Sequence, residues 1–192
     1  MKTNQFLNKL IDGHIEVGLK IKNSHHLNLQ FNKLCNLSLK TLKNKKKIIF
    51  FGNGGSAADA QHLATELVVK FEKKRKALAA ISLSTDTSVL TAIGNDFGFE
   101  NIFSRQLEAI SSKGDLVIPI STSGNSLNII KAINWCNQKK IRVFPFLGKN
   151  GGKVKKLVSD FIVVPSNKTS FIQEYHIFIG QSLCFYLDKK FN

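Results

Sequence analysis

His62 and Glu66 stand four residues apart in the stretch "IIFFGNGGSAADAQHLATEL", residues 48 to 67, so on a helix they share one face. An imidazole beside a carboxylate can take a proton from a carbon next to a carbonyl, or hold a divalent metal. Alone, such a pair is more often a surface pair. Here it follows an apolar run and the turn Gly52-Asn53-Gly54-Gly55-Ser56. A strand that ends in glycines and enters a helix presents backbone N–H groups at the helix's positive end, which favours a phosphate. No Gly-Lys-Ser/Thr follows, so this is not a Walker loop. Gly52, Gly54 and Ala57 satisfy GxGxxA, but Asp86 lies farther on than the usual ~20 residues for a ribose partner, which makes a dinucleotide site a weak reading.

A second hydroxyl-rich loop, "STSGNS" at residues 121 to 126, also ends an apolar run and opens a helical pattern. Ser121, Thr122, Ser123 and Ser126 suit a phosphate carried on a flexible polyol. In a doubly wound sheet of order 2-1-3-4-5, strands one and three are neighbours, and the crevice outside their carboxyl ends is the expected ligand site. The two loops would then meet.

Five short apolar runs supply that sheet: residues 47–51, 77–83, 115–121, 142–148 and 160–165. Near-continuous hydrophobic strands alternating with helical segments predict an α/β fold, a doubly wound five-stranded parallel sheet covered on both faces. Pro119 and Pro145 are placed near a strand end or bulge, because a proline deletes a ladder hydrogen bond. Before the sheet, residues 4–22 and 25–44 carry apolar positions at helical spacing and are separated by Asn23 and Ser24. After it, residues 171–187, "FIQEYHIFIGQSLCFYL", are apolar nearly all round and predict a buried helix whose Gln173, Glu174, His176 and Gln181 need partners.

The 192 residues are expected to form one domain, with residues 1–45 as a helical oligomerisation segment and 46–192 as the α/β core. The formal charge is +15, yet the only arginines among the 28 basic residues are Arg75, Arg105 and Arg142, and the lysines are scattered. That points to a solvated lysine-rich surface rather than a nucleic-acid footprint. Cys35, Cys136 and Cys184 form no CxxC pair and suit a reducing compartment. With no signal-peptide core and no apolar run near 18 residues, a cytoplasmic protein away from the membrane is expected.

In their order, "GNGGSAADAQHLATEL", "AIGNDFGFENIFSRQLEA", "ISTSGNSLNIIKAI", "LGKNGG" and "IQEYH" resemble the phosphoheptose isomerases of the sugar isomerase (SIS) superfamily, from about residue 5 to the end. The resemblance implies a flavodoxin-like SIS domain that converts D-sedoheptulose 7-phosphate to D-glycero-D-manno-heptose 7-phosphate for lipopolysaccharide or capsule precursors. It also implies a homotetramer whose N-terminal helices pack between subunits and whose sites are shared across interfaces. Asn53, Gly54, Gly55, Ser56, Glu66, Asn95, Asp96, Ser121, Thr122, Ser123, Ser126 and Gln173 would hold the sugar phosphate. One zinc per subunit would be held by His62, Glu66, Gln173 and the residue at position 181, with Glu66 and position 181 moving protons.

Position 181 is the departure: the family has a second histidine where this chain has Gln181. His176 cannot stand in, since five residues at roughly 100° each place it about 140° away around the helix. Lys70 and Phe171 occupy positions where the family commonly has arginine. Two other readings stay open: a non-catalytic protein similar to the SIS-type adaptor that binds the bacterial replication initiator, and a sugar-phosphate-sensing domain. Glu66 argues against the adaptor, which has no evident need of a carboxylate there. The length leaves no room for the helix-turn-helix extension that usually accompanies the sensor.

Overall fold

Ile48, Ile49, Phe50 and Phe51 are all closed to solvent, and this is why their run is a central strand: β1 (Ile48–Gly52) has both faces covered and no polar side to show. Ile48 and Phe50 point into one core, Ile49 and Phe51 into the other. The computed structural model describes residues 3–191; residues 1, 2 and 192, the ends of the expected single domain, lie outside the described residues. Its strands continue with β2 (Ala80–Ser82), β3 (Leu116–Ser121), β4 (Arg142–Val143), β5 (Phe146–Gly148) and β6 (Ile162–Val164). All pairings are parallel, in the order β2-β1-β3-β5-β6, with β4 also on β3.

The expected strand 142–148 is therefore two pieces, broken at Phe144-Pro145, and the reason is on its neighbour. Leu116 donates its N–H to Lys47 O, so residues 116, 118 and 120 bond towards β1. Val117 O accepts from Phe144 N, so 117 and 119 bond the other way, and Pro119 turns its donorless nitrogen towards the break. The order expected from the sequence stands, with the local interruption that two prolines impose.

Helices cover both faces. On the first lie α1 (Thr3–Asn23), α2 (His25–Lys43), α3 (Gly55–Val68) and α7 (Thr169–Lys190); on the second lie α4 (Thr87–Phe97), α5 (Ile102–Ile110) and α6 (Leu127–Gln138). Ser24 separates the first two as an N-cap, its hydroxyl accepting from Leu27 N at 3.2 Å. The C-terminal helix buries one broad face, through Ile172, Ile179, Leu183 and Leu187, but leaves Phe178 exposed.

His176 belongs to that buried face. Its Nε2–H donates to Leu147 O at 2.9 Å, and its Nδ1 has no partner among the described residues. Burial pushes the imidazole down to about 4. An unfolded histidine takes its proton near 6.5, so the contribution of a neutral His176 is complete above that pH and is lost as pH falls towards 4. Asp59, whose carboxyl burial raises to about 6, acts in the opposite sense, so the expected result is a difference between two proteins. His176→Leu should be less stable than the parent at pH 7.5, and its deficit should shrink by roughly 2 to 3 kcal/mol by pH 4.5, read by urea unfolding. A deficit independent of pH would show that His176 is not held neutral.

Candidate active site

α3 and α7 lie close together because glycines leave room. A Cβ on Gly55 would collide with the amide of Gln173, and one on Gly180 would collide with the side chain of Leu63. The close approach brings His62 and Glu66 of α3 against Gln181 of α7. His62 Nε2 lies 2.8 Å from Glu66 Oε1, and the Gln181 amide lies 3.3 Å from the same His62 nitrogen. The side chains of His62 and Glu66 are 47% and 22% exposed, so the pair is open to a solute while the carboxylate is the more enclosed. A cavity of about 260 Å³, walled by Phe71, Phe178, Ser182 and Phe185, adjoins Gln181.

One ring nitrogen carries either a hydrogen or a lone pair. When His62 Nε2 is protonated it donates to Glu66, and Gln181 must present its oxygen. When it is bare it accepts from the Gln181 amide, and Glu66 must hold the proton. The cluster can thus place one proton on either side of a 2.8 Å gap, which is what a general base and its partner require.

The two loops meet at the carboxyl ends of β1 and β3. Asn53 and the buried Asn128 exchange amide hydrogen bonds, each donating to the other at 2.9 Å, and so join the turn after β1 to the start of α6. Gly54 has φ +56°, which glycine adopts without strain. Ser56 is buried, and the N–H groups of Ser56 and Ala57 close the turn onto Asn53 O and Gly54 O. The glycine cradle is therefore narrower than the sequence suggests. In the second loop Ser121 Oγ accepts from Gly124 N at 3.1 Å and Ser123 Oγ from Asn125 N at 3.2 Å, while Ser126 at the start of α6 makes no side-chain cap. Thr122 is half-buried beside them.

Asn128 was not among the expected site residues, and neither was Ser84, whose hydroxyl donates to Gly52 O and accepts from Gly52 N. The sequence signal for Asn128 is an amide on the apolar face of "LNIIKAI"; for Ser84 it is the small-hydroxyl cluster after β2. Asp86 caps α4 through Val89 N at 2.9 Å, and that explains it without a ribose. Asn95 and Asp96 are exposed on α4, with Asn95 Nδ2 donating to Asp96 Oδ1 at 2.8 Å. Their helix packs chiefly on α5 and the 3₁₀ turn Phe99–Asn101 rather than on α3 or α7. Gln173 sits over Gly55, about two helical turns before Gln181, so three of the four expected metal ligands converge.

Among the described residues no group of three or more His, Cys, Asp or Glu side chains could hold a metal ion. The donor set at His62 is instead one imidazole, one carboxylate and one amide. His62 Nε2 and Glu66 Oε1 are 2.8 Å apart, against ~3.3 Å between neighbouring ligands on a zinc tetrahedron with bonds of ~2.0–2.1 Å, and the Gln181 atom 3.3 Å from His62 is the amide nitrogen, so the amide would have to turn its oxygen inward to serve as a ligand. An amide oxygen is the weak member of that set.

Residues 19–148 match the SIS domain family. The chain is 53% identical over 155 residues to the phosphoheptose isomerase of Nitratiruptor sp., covering 81% of this chain and 83% of that protein. It is 47% identical over 188 residues to the phosphoheptose isomerase of Paramagnetospirillum magneticum, covering 96% and 95%. Its structure is similar to that of the phosphoheptose isomerase GmhA from Neisseria gonorrhoeae, with a TM-score of 0.91, 36% identity, and coverage of 97% of this chain and 98% of that one. With agreement over nearly the whole length, the chain belongs to the phosphoheptose isomerase family of SIS-domain proteins.

Proposed function

We propose that this protein is an aldose-ketose isomerase that converts D-sedoheptulose 7-phosphate to D-glycero-D-manno-heptose 7-phosphate, a precursor for lipopolysaccharide or capsule heptose. The observation that carries the reading is the His62–Glu66–Gln181 contact, on the same helix that begins at the glycine turn. Family membership supplies the substrate class, since the relatives are phosphoheptose isomerases.

In this reading Asn53, Gly54, Gly55, Ser121, Thr122, Ser123 and Ser126 hold the phosphate and the near hydroxyls of the open-chain sugar. Glu66 takes the proton from the carbon beside the carbonyl, and His62 holds that carboxylate in place. The two oxygens of the resulting enediolate meet the Gln181 amide, which donates a hydrogen bond but moves no proton. Glu66 returns its proton to the neighbouring carbon, so one C–H bond is lost and one is formed. His62, Glu66 and Gln181 would hold a zinc ion, which when bound would supply Lewis-acid polarisation of the sugar carbonyl; Gln173, set over Gly55, lies apart from that group.

The assay is direct: purified protein with D-sedoheptulose 7-phosphate should form the aldoheptose 7-phosphate, with more product when zinc is added. No product with or without zinc, from folded protein, would defeat the reading.

The assembly belongs to the same proposal. Leu7, Ile11, Ile15 and Leu19 form an exposed apolar stripe along α1, and Phe178 of α7 is 58% exposed. Exposed Asn95 and Asp96, flanked by exposed Phe97 and Phe99, are then available to a neighbouring subunit's site. Light scattering should give four times the chain mass of 21.4 kDa, and a monomer at micromolar concentration would remove the tetramer. The chain is taken to work in the cytoplasm as one domain; no helix among the described residues is long and apolar enough to cross a membrane.

A further inference from the structure

Glu66 occupies the last turn of α3, three residues before the exposed Val69 and a connecting segment with no helix or strand before β2. A base at a helix end is poorly placed by default, because the last carbonyls lack helix partners and the turn frays. In this chain those carbonyls are taken by a side chain. The Arg75 side chain is 1% exposed; its Nη2 donates to Glu66 O and its Nη1 to Leu67 O, both at 2.8 Å, and Nη1 also reaches Lys76 O at 3.1 Å. The same guanidinium donates through Nε to Asp188 Oδ1 at 2.8 Å, in the last turn of α7, and Asp188 Oδ2 accepts from Lys73 N at 3.1 Å.

We propose that Arg75 is a positioning residue for Glu66, a clamp that ties the end of α3 to the end of α7 and so fixes the base opposite Gln181. The inference rests on the isomerase reading for its catalytic consequence. Gly180 against Leu63 sets the helix spacing on one side of the Glu66–His62–Gln181 cluster, and Arg75 with Asp188 sets it on the other. Only a flat fork meets this demand. Its donors point to acceptors on α3, on α7 and on the segment between them, whereas a lysine ammonium is a single compact charge. A buried ion pair is weak evidence for stability, and holding register is its best-attested use.

Two measurements test the clamp. In the unaltered protein the amides of Glu66, Leu67 and Val68 should exchange with solvent within about threefold of the rates for Leu63 and Ala64; exchange more than tenfold faster at 66–68 would overturn the clamp. In Arg75→Lys the same amides should exchange at least tenfold faster than in the parent. Turnover on sedoheptulose 7-phosphate should fall at least tenfold with KM within threefold, because the phosphate loops lie at the other end of α3. Faster exchange with kcat unchanged would overturn the positioning role, and so would a loss of activity fully accounted for by a smaller folded fraction. Should Arg75→Lys not fold, Asp188→Asn carries the same comparison, and the exchange pattern of the unaltered protein decides the matter if neither folds. If the unaltered protein shows no turnover, the isomerase reading fails, and exchange alone still decides whether the clamp exists.

Discussion

Glu66→Gln should lower kcat on sedoheptulose 7-phosphate by ~10²- to 10⁴-fold, the usual worth of a positioned general base. The amide has the shape of the carboxylate, and the side chain is 22% exposed, so the fold should survive the change. What is lost is the lone acceptor able to take a carbon-bound proton 2.8 Å from the imidazole that orients it. Substrate affinity should change little, because the loops after β1 and β3 are untouched. Steady-state rates and solvent-deuterium incorporation into the sugar would both report the loss, with circular dichroism as the control for folding. Turnover within tenfold of the parent would remove Glu66 from its role.

Much of this site could be read from residue spacing, and the parts that could not share a physical cause. Strand runs such as "IIFF" are closed on both faces, and that pattern depends only on neighbours in sequence. His62 and Glu66 share a helix face for the same local reason. The meeting of His62 with Gln181 spans 119 residues, and no periodicity announces it; it came from the family resemblance. Arg75 is the sharper case. Among scattered lysines it reads as surface charge, yet its side chain is 1% exposed, because its partners are backbone carbonyls and an aspartate 113 residues away. The break at Phe144-Pro145 was half legible: the proline is visible, but its alignment with Pro119 depends on register.

Gln181→His should produce the second large effect, and in the direction of gain. The parent offers zinc His62 and Glu66, with the oxygen of the Gln181 amide, whose nitrogen lies 3.3 Å from the imidazole nitrogen, as the third donor. Exchanging a neutral amide oxygen for a nitrogen ligand strengthens the weakest member of the set. It also brings a group that titrates near neutrality to the enediolate oxygens. Zinc content after dialysis should rise from a small fraction to nearly one per chain, and turnover should increase at least tenfold. The aromatic wall of Phe71, Phe178 and Phe185 can receive an imidazole of similar reach. If the variant folds and gains neither metal nor activity, the account of Gln181 as the weak link of this site is wrong.

The reciprocal amide pair of Asn53 and Asn128 has a consequence for how the site meets its ligand. Two loops that would otherwise move independently are held together within the fold, by carboxamides that do not ionise and so keep the link at any pH at which the protein is folded. Their ordering is therefore completed during folding. Should these loops take a phosphate, the entropy of closing them against each other would not oppose association.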